Sequence, residues 1–269
     1  MSMRLEHNIF HSDLFLYSYE VDPFYHAKLA YYFQIAQEAA SYHSRMLGCD
    51  IPSLQKKDKT WLIVRTQMAI ARYATWPEEF SIETWAQKPW KLYFPRGTVA
   101  TDAAGKELFH SMSQWVVMDL KTHHPTKPKE IVDAFGEPAG ISFYSPDLGV
   151  RQSFETATVT TQQTLSIPIL YRDTDFNKHV NNVSYVSWIM ESLCDDFLNA
   201  YKVSNIDISY LSQTYRHDTI TIRTGSLMPD PSHPGEPGYV HEIVRDNPDG
   251  SHTPVCTAYT RWTPRALIV

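Results

Sequence analysis

The chain is poor in cysteine. Its 269 residues include only Cys49, Cys194 and Cys256. An odd number of thiols at wide spacing builds no disulfide framework, matches no metal-ligand pattern and suggests a reducing compartment. No stretch approaches the ~18 uninterrupted apolar residues of a membrane-spanning helix. The start, MSMRLEHNIF, lacks the charged opening and apolar run of a secretory leader. Lys and Arg (24) are outnumbered by Asp and Glu (30), and no long basic run occurs, which argues against nucleic acid as a partner. A cytoplasmic protein is the expectation.

What the chain does have is aromatic residues: 7 Trp, 16 Tyr and 12 Phe. Such side chains fill wide cores and also line sites for long apolar ligands. The length suits one large domain or two of about 130 residues. The pattern along the chain favours two. A strand predicted over Asp13–Glu20 leads into a helix over Ala27–Leu47, where Leu29, Phe33, Ala36, Ala40, His43 and Leu47 form a stripe at spacings of three and four. Strand-like runs follow at Trp61–Tyr73, Phe80–Lys88, Lys91–Thr101 and Leu108–Asp119. Proline and glycine then interrupt the pattern over Lys121–Phe154, with a short helix near Glu130–Phe135.

The same order returns afterwards. A strand over Thr164–Arg172 precedes a helix near Val180–Ala200 with the stripe Val183, Val186, Ile189, Met190, Leu193 and Phe197. Further strands are expected at Ile206–Thr214, Thr219–Leu227, Tyr239–Arg245 and Val255–Thr263. At an offset of about 153, Asp22 falls on Asp175, His26 on His179, Tyr32 on Tyr185 and Glu38 on Glu191, which reads as an internal duplication. Later the offset shortens to about 139, laying Ala74-Thr75-Trp76 over Gln213-Thr214-Tyr215. The expected division is 1–135, a linker 136–160, and 161–269.

Chemistry concentrates before the second helix, in Tyr171-Arg-Asp-Thr-Asp-Phe-Asn-Lys-His-Val-Asn-Asn-Val183. If the backbone is extended there, Asp175, Asn177 and His179 project to one side, next to unpaired amides at a helix N-terminus. A carboxylate, an amide, an imidazole and oriented N–H groups can activate water and polarise a carbonyl. The plain alternative is a set of turn and cap residues. The first half argues against that alternative. It keeps Asp22 and His26 but has Phe24 for Asn177 and Lys28-Leu29 for Asn181-Asn182, so the bend does not require those polar groups. A cysteine nucleophile is disfavoured, because Cys194 is placed within a helix and Cys256 within a strand. His123-His124 lack metal-ligand partners, and neither a metal nor an organic cofactor is expected.

The segment 173–192, Asp-Thr-Asp-Phe-Asn-Lys-His-Val-Asn-Asn-Val-Ser-Tyr-Val-Ser-Trp-Ile-Met-Glu-Ser, resembles the signature of the acyl-[acyl-carrier-protein] thioesterases. Ser18-Tyr-Glu-Val21, Trp61-Leu-Ile-Val-Arg65, Arg72-Tyr-Ala-Thr-Trp76 and Ser113-Gln-Trp-Val-Val-Met-Asp119 resemble successive strands of that family. The resemblance runs from about Phe15 to Thr263. It implies an α+β fold of tandem (double) hot-dog type, each half a long helix wrapped by an antiparallel sheet. It also implies an acyl pocket in a non-catalytic N-terminal half, and hydrolysis in the C-terminal half of fatty acyl thioesters borne on acyl carrier protein by phosphopantetheine. Asp175, Asn177 and His179 match the family's catalytic aspartate, asparagine and histidine. The fourth position, usually glutamate and sometimes followed by cysteine, falls on Gln213-Thr214. Gln213 can orient water but cannot serve as a base. An acyl-CoA thioesterase shares this chemistry; a non-catalytic acyl-binding protein and a hot-dog dehydratase are more distant alternatives. Lys121, Lys127 and Lys129, or Lys88, Lys91 and Arg96, are candidate contacts for an acidic carrier. Either a monomer or a homodimer is compatible with two fused units.

Overall fold

The computed structural model describes residues 2–136, 154 and 157–265. Most of the expected linker 136–160 lies outside these residues. The chain divides into two compact units, Met1–Asp147 and Leu148–Val269.

The first unit opens with β1 (Met3–Glu6) and β2 (Ile9–Phe15), joined by a two-residue turn in which His7 and Asn8 both take positive φ. That turn geometry suits the twist of paired strands. Its His-Asn sequence is not the usual Asn-Gly signal, so the hairpin was not expected from the sequence. The strand predicted over Asp13–Glu20 stops at Phe15, and Ser18–Glu20 winds into a 3-10 turn. Helix α1 (Leu29–Met46) follows, then the short α2 (Ile51–Gln55). Strands β3 (Lys59–Ile70), β4 (Glu79–Ala86), β5 (Tyr93–Asp102), β6 (Glu107–Asp119) and β7 (Pro125–Thr126) and helix α3 (Lys129–Phe135) complete the unit. Its antiparallel sheet runs β1-β2-β4-β5-β6-β3. Leu29, Phe33, Ala40 and His43 of α1 are buried, as their spacing requires, and Tyr32 packs 4.8 Å from the Phe109 ring of β6.

The second unit repeats this plan. It contains β8 (Val159–Pro168), α4 (Asn182–Glu191), α5 (Asp195–Ala200), β9 (Tyr201–Tyr210), β10 (Thr219–Leu227), β11 (Gly238–Asp246) and β12 (His252–Pro264). Its antiparallel sheet runs β9-β12-β11-β10-β8, the mirror listing of β2-β4-β5-β6-β3. The duplication holds to the register. The row Thr84–Thr98–Ser111–Met68 in the first sheet corresponds to Thr224–His241–Ala258–Ile208 in the second.

Two expectations need correction here. The predicted strand Thr164–Arg172 ends at Pro168 and gives way to a 3-10 turn, Tyr171–Asp173. The helix expected over Val180–Ala200 breaks after Glu191. The Ser192 hydroxyl donates to the Ile189 carbonyl at 2.7 Å, and the Ser192 N–H is shared between earlier carbonyls, so side chain and backbone compete for the same acceptors. Cys194 therefore caps α5 at the surface instead of lying inside a helix.

Each unit buries a histidine, His43 on α1 and His241 on β11. In the second unit Thr224 Oγ1 and His241 Nδ1 are 2.9 Å apart, His241 Nε2 and Thr260 Oγ1 are 2.9 Å apart, and Ser192 reaches Thr224 at 2.7 Å. This line ties the end of α4 to the sheet. In the first unit Arg96 Nη1 donates to His43 Nδ1 at 2.7 Å. Arg96 is only 4% exposed, so it cannot meet a carrier protein as the sequence had suggested. Lys121, by contrast, is exposed and pairs with Asp58 at 2.5 Å.

Burial holds both imidazoles far below the ordinary value of 6.5, to about 3, and Arg96 adds to the effect at His43. Between those limits the unfolded chain binds protons that the folded chain refuses, so stability falls as pH is lowered through 6.5. Each such proton contributes a slope of about 1.4 kcal/mol per pH unit. The urea midpoint should therefore drop between pH 7 and pH 5, and His241→Gln should flatten that acid limb by about one proton. An equal slope in the variant would show that His241 titrates normally in the folded protein.

Candidate functional site

The segment before α4 is not extended, contrary to the sequence reading. It is a closed loop. Thr174 bridges Val180, the Asp175 N–H donates to the His179 carbonyl at 2.9 Å, and the Lys178 N–H donates to the Asp175 carbonyl at 3.0 Å. Lys178 takes φ +65° to close the turn. Asp175 Oδ1 accepts from the Asn177 N–H at 2.8 Å, as Asp side chains commonly do two residues on. Asp175, Asn177 and His179 are thus brought together by the turn, and all three are half-buried.

Two further bonds fix the loop on the unit. The Val180 N–H donates to the Thr214 carbonyl (2.9 Å), and the Asn181 N–H donates to the Asp173 carbonyl (2.8 Å). The Asn181 side chain then caps α4 by accepting from the Val183 N–H at 2.9 Å. The helix end is therefore largely satisfied from within, and the open amide lies in the loop. Among the described residues no acceptor takes the His179 N–H.

The first unit supplies a control made of the same backbone. Val21 bridges Ala27, Asp22 N–H donates to His26 O, Tyr25 takes φ +62°, and Ala27 N–H donates to Ala74 O. There, however, Asp22 Oδ1 accepts from two amides, Phe24 at 2.9 Å and His26 at 3.0 Å. In the second unit the amide equivalent to His26 is released.

The same bonds correct the later alignment. Ala27 reaches Ala74 where Val180 reaches Thr214, and Thr75 N–H meets the Glu78 carboxylate where Tyr215 N–H meets that of Asp218. The offset is 140, one more than the sequence suggested, so Gln213 stands opposite Tyr73. The shorter register had matched Thr-aromatic pairs, a pattern too brief to set alignment by itself.

Gln213 joins the loop through a residue the sequence reading did not select. The Tyr215 hydroxyl donates to Gln213 Oε1 at 3.2 Å, and the Tyr215 ring meets His179 edge-on at 5.0 Å. Arg245 donates to the Gln213 carbonyl at 3.1 Å and holds that strand end. Thr214 points inward, its hydroxyl 2.6 Å from that of Tyr185. The only hint of Tyr215 in the sequence was its place two residues after Gln213, on the same side of an extended chain.

Burial lowers the His179 imidazole below its ordinary range, while the Asp175 carboxylate acts in the opposite direction. The ring is therefore neutral at neutral pH and able to donate from one nitrogen and accept at the other. Cys49 and Cys256 are buried with thiols pushed up by burial, that of Cys49 to about 11, which suppresses any thiolate there. Among the described residues no group of three or more His, Cys, Asp or Glu could hold a metal ion, and no helix is long and apolar enough to cross a membrane.

Residues 7–135 match the family described as acyl-ACP thioesterase N-terminal domain, and residues 156–264 match the acyl-ACP thioesterase C-terminal domain. A palmitoyl-acyl carrier protein thioesterase from Cuphea hookeriana is 25% identical over 272 residues, covering 97% of this chain and 64% of that protein. The chain thus spans less than two thirds of that relative's length. Among solved structures, the 12:0-ACP thioesterase from Umbellularia californica superposes with a TM-score of 0.81 at 22% identity, covering 97% of this chain and all of that one. An acyl-ACP thioesterase from Bacteroides thetaiotaomicron gives 0.73 at 21% identity, covering 95% and 98%. The fold is α+β, a tandem hot-dog in which a helix in each unit is wrapped by an antiparallel sheet. Within that class, this chain belongs to the acyl-ACP thioesterase family.

Removing the carboxylate that opposes burial should depress His179 further. Asp175→Asn is expected to lower the His179 midpoint in an NMR titration of its ring protons. An unchanged or higher midpoint would show that the two groups do not sense each other.

Proposed function

We propose that this chain hydrolyses fatty acyl thioesters carried on acyl carrier protein, releasing the free fatty acid in fatty acid biosynthesis. The observation that carries the reading is the contrast between the two loops. The same backbone closes both, yet in the second unit Asp175 takes one amide where Asp22 takes two. That difference leaves a carboxylate oxygen and the His179 N–H available to a ligand. A loop serving structure alone would not need to differ in this way.

In the proposed reaction Asp175 accepts a proton from water as the water oxygen attacks the thioester carbonyl carbon. The His179 N–H, with the Asn177 side chain, stabilises the negative charge developing on the carbonyl oxygen. The carbon–sulfur bond breaks, and the proton held by Asp175 passes to the departing thiolate. The neutral His179 ring orients the water or the substrate, and Gln213, itself positioned by Tyr215, holds the water by hydrogen bonding. No cofactor takes part. Residues 161–269 carry the chemistry, and residues 1–135 bind the acyl chain without reacting. Three unpaired cysteines support a reducing compartment, and we place the protein in the cytoplasm.

The test is a panel of short to long acyl thioesters on acyl carrier protein and on coenzyme A. Preference for the carrier-borne series is expected. Equal efficiency on both would favour an acyl-CoA thioesterase of the same chemistry. Asp175→Ala should lose at least about a hundredfold in kcat, the scale for removing an acid–base group. Undiminished turnover in that variant would remove Asp175 from the mechanism.

A further inference from the structure

We infer that the tip between β4 and β5 is a membrane-docking element, which sets a tryptophan and a leucine into the headgroup layer of an anionic bilayer. The Trp90 N–H donates to the Tyr93 carbonyl at 3.0 Å and the Tyr93 N–H to that of Trp90 at 2.9 Å, so Lys91 and Leu92 alone make the turn. At this tip Trp90 is 62% exposed and Leu92 40%. The Trp90 and Tyr93 rings stack at 6.1 Å and 17°, which holds the indole against its own hairpin.

Lysines flank these apolar side chains. Lys88, Lys91 and Lys127 are all exposed. Lys91 Nζ lies 4.5 Å from the centre of the Trp90 ring, and Lys127 Nζ donates to the Pro89 carbonyl at 3.4 Å. No Asp or Glu occurs in the chain between Glu83 and Asp102, and Glu130, three residues beyond Lys127, pairs with Lys57. On a chain of net charge −6 this tip is locally positive. An indole settles at the boundary between acyl chains and headgroups, while neighbouring ammonium groups reach the phosphates.

The backbone shows that the lysine at the turn is not there for the fold. Lys91 takes φ +52°. The first central position of such a two-residue turn suits glycine, and a long side chain there is held at a cost. The duplication gives the same answer. The equivalent connection in the second unit, 228–237 between β10 and β11, contains Asp230 and Glu236, and no Lys or Arg occurs between Arg223 and Arg245. The hairpin can therefore be closed without tryptophan and without cations.

A bilayer fits this surface better than a protein does. Stable protein complexes bury roughly 800 Å² on each partner, more than one tryptophan and one leucine supply. Insertion into a headgroup layer needs only a small apolar projection with cations around it. On the hydrolase reading, docking releases an apolar acid beside the phase that dissolves it; the docking itself does not depend on that reading.

The experiment pellets the full chain with vesicles of phosphatidylcholine and phosphatidylglycerol in equal parts, and with vesicles of phosphatidylcholine alone. The mixed vesicles should bind it about tenfold or more tightly than the neutral ones, and added salt should release it. Two variants, Trp90→Ser with Leu92→Ser, and Lys88→Gln with Lys91→Asn and Lys127→Gln, should each lose about tenfold or more in binding to the mixed vesicles while keeping the wild-type melting curve; asparagine tolerates the left-handed backbone. Phospholipid brominated in its acyl chains should quench part of the tryptophan emission of the bound wild type, and Trp90→Phe should remove that part. A wild type that stays unbound overturns the proposal, as does equal binding to both vesicle types, undiminished binding by either variant, or quenching that Trp90→Phe leaves unchanged. Lysine-variant protein that binds vesicles normally but loses turnover of a carrier-borne thioester would assign the tip to an acidic protein and overturn the proposal. A wild-type dimer split by the Trp90 and Leu92 changes would assign it to a second copy, with the same result.

Discussion

The site depends on one main-chain hydrogen bond, from Val180 N–H to the Thr214 carbonyl. It anchors the closed loop 174–180 to the segment that follows β9 and so sets Asp175 and His179 beside Gln213 and Tyr215. No side chain is needed to make it, which explains why the first unit can form the same bond, Ala27 to Ala74, around different residues. A geometry held by backbone leaves the side chains free to diverge. One loop spends its aspartate on two of its own amides; the other spends it on one.

A second constraint lies beneath the helices. Burying a neutral imidazole requires partners for both nitrogens or the loss of their solvation. The second unit meets this with hydroxyls from Thr224 and Thr260, and through Ser192 the same line ends α4 early. The first unit supplies Arg96 to Nδ1 of His43 and leaves Nε2 without a partner among the described residues, and α1 runs unbroken to Met46. The two units thus bury histidines on different elements, one on the helix and one on the sheet, with different partners.

Periodicity showed much of the fold. The stripe from Leu29 to His43 defined α1, and Thr219–Leu227 was bounded correctly because a turn flanks it on each side. Failures had local causes. Chain entering a 3-10 turn keeps enough strand-like residues to look extended, as at Ser18–Glu20 and Tyr171–Asp173. The helix break at Ser192 was hidden because Leu193 and Phe197 continue the apolar spacing across it. Charge is normally exposed, which puts Arg96 at the surface on sequence grounds, and only its partner His43, over fifty positions away, shows why it is inside.

By itself the sequence determined the duplication, the two helix-and-sheet units and the three polar residues that distinguish one bend from its copy. These follow from local spacing and from comparing the chain with itself. Tertiary structure alone decided that the bend is a closed turn, that the His179 amide is open while that of His26 is taken, and that Tyr215 links Gln213 to His179. Each of these is a relation between segments distant in sequence or a choice of hydrogen-bond partner. Neither is encoded in the periodicity of a single segment.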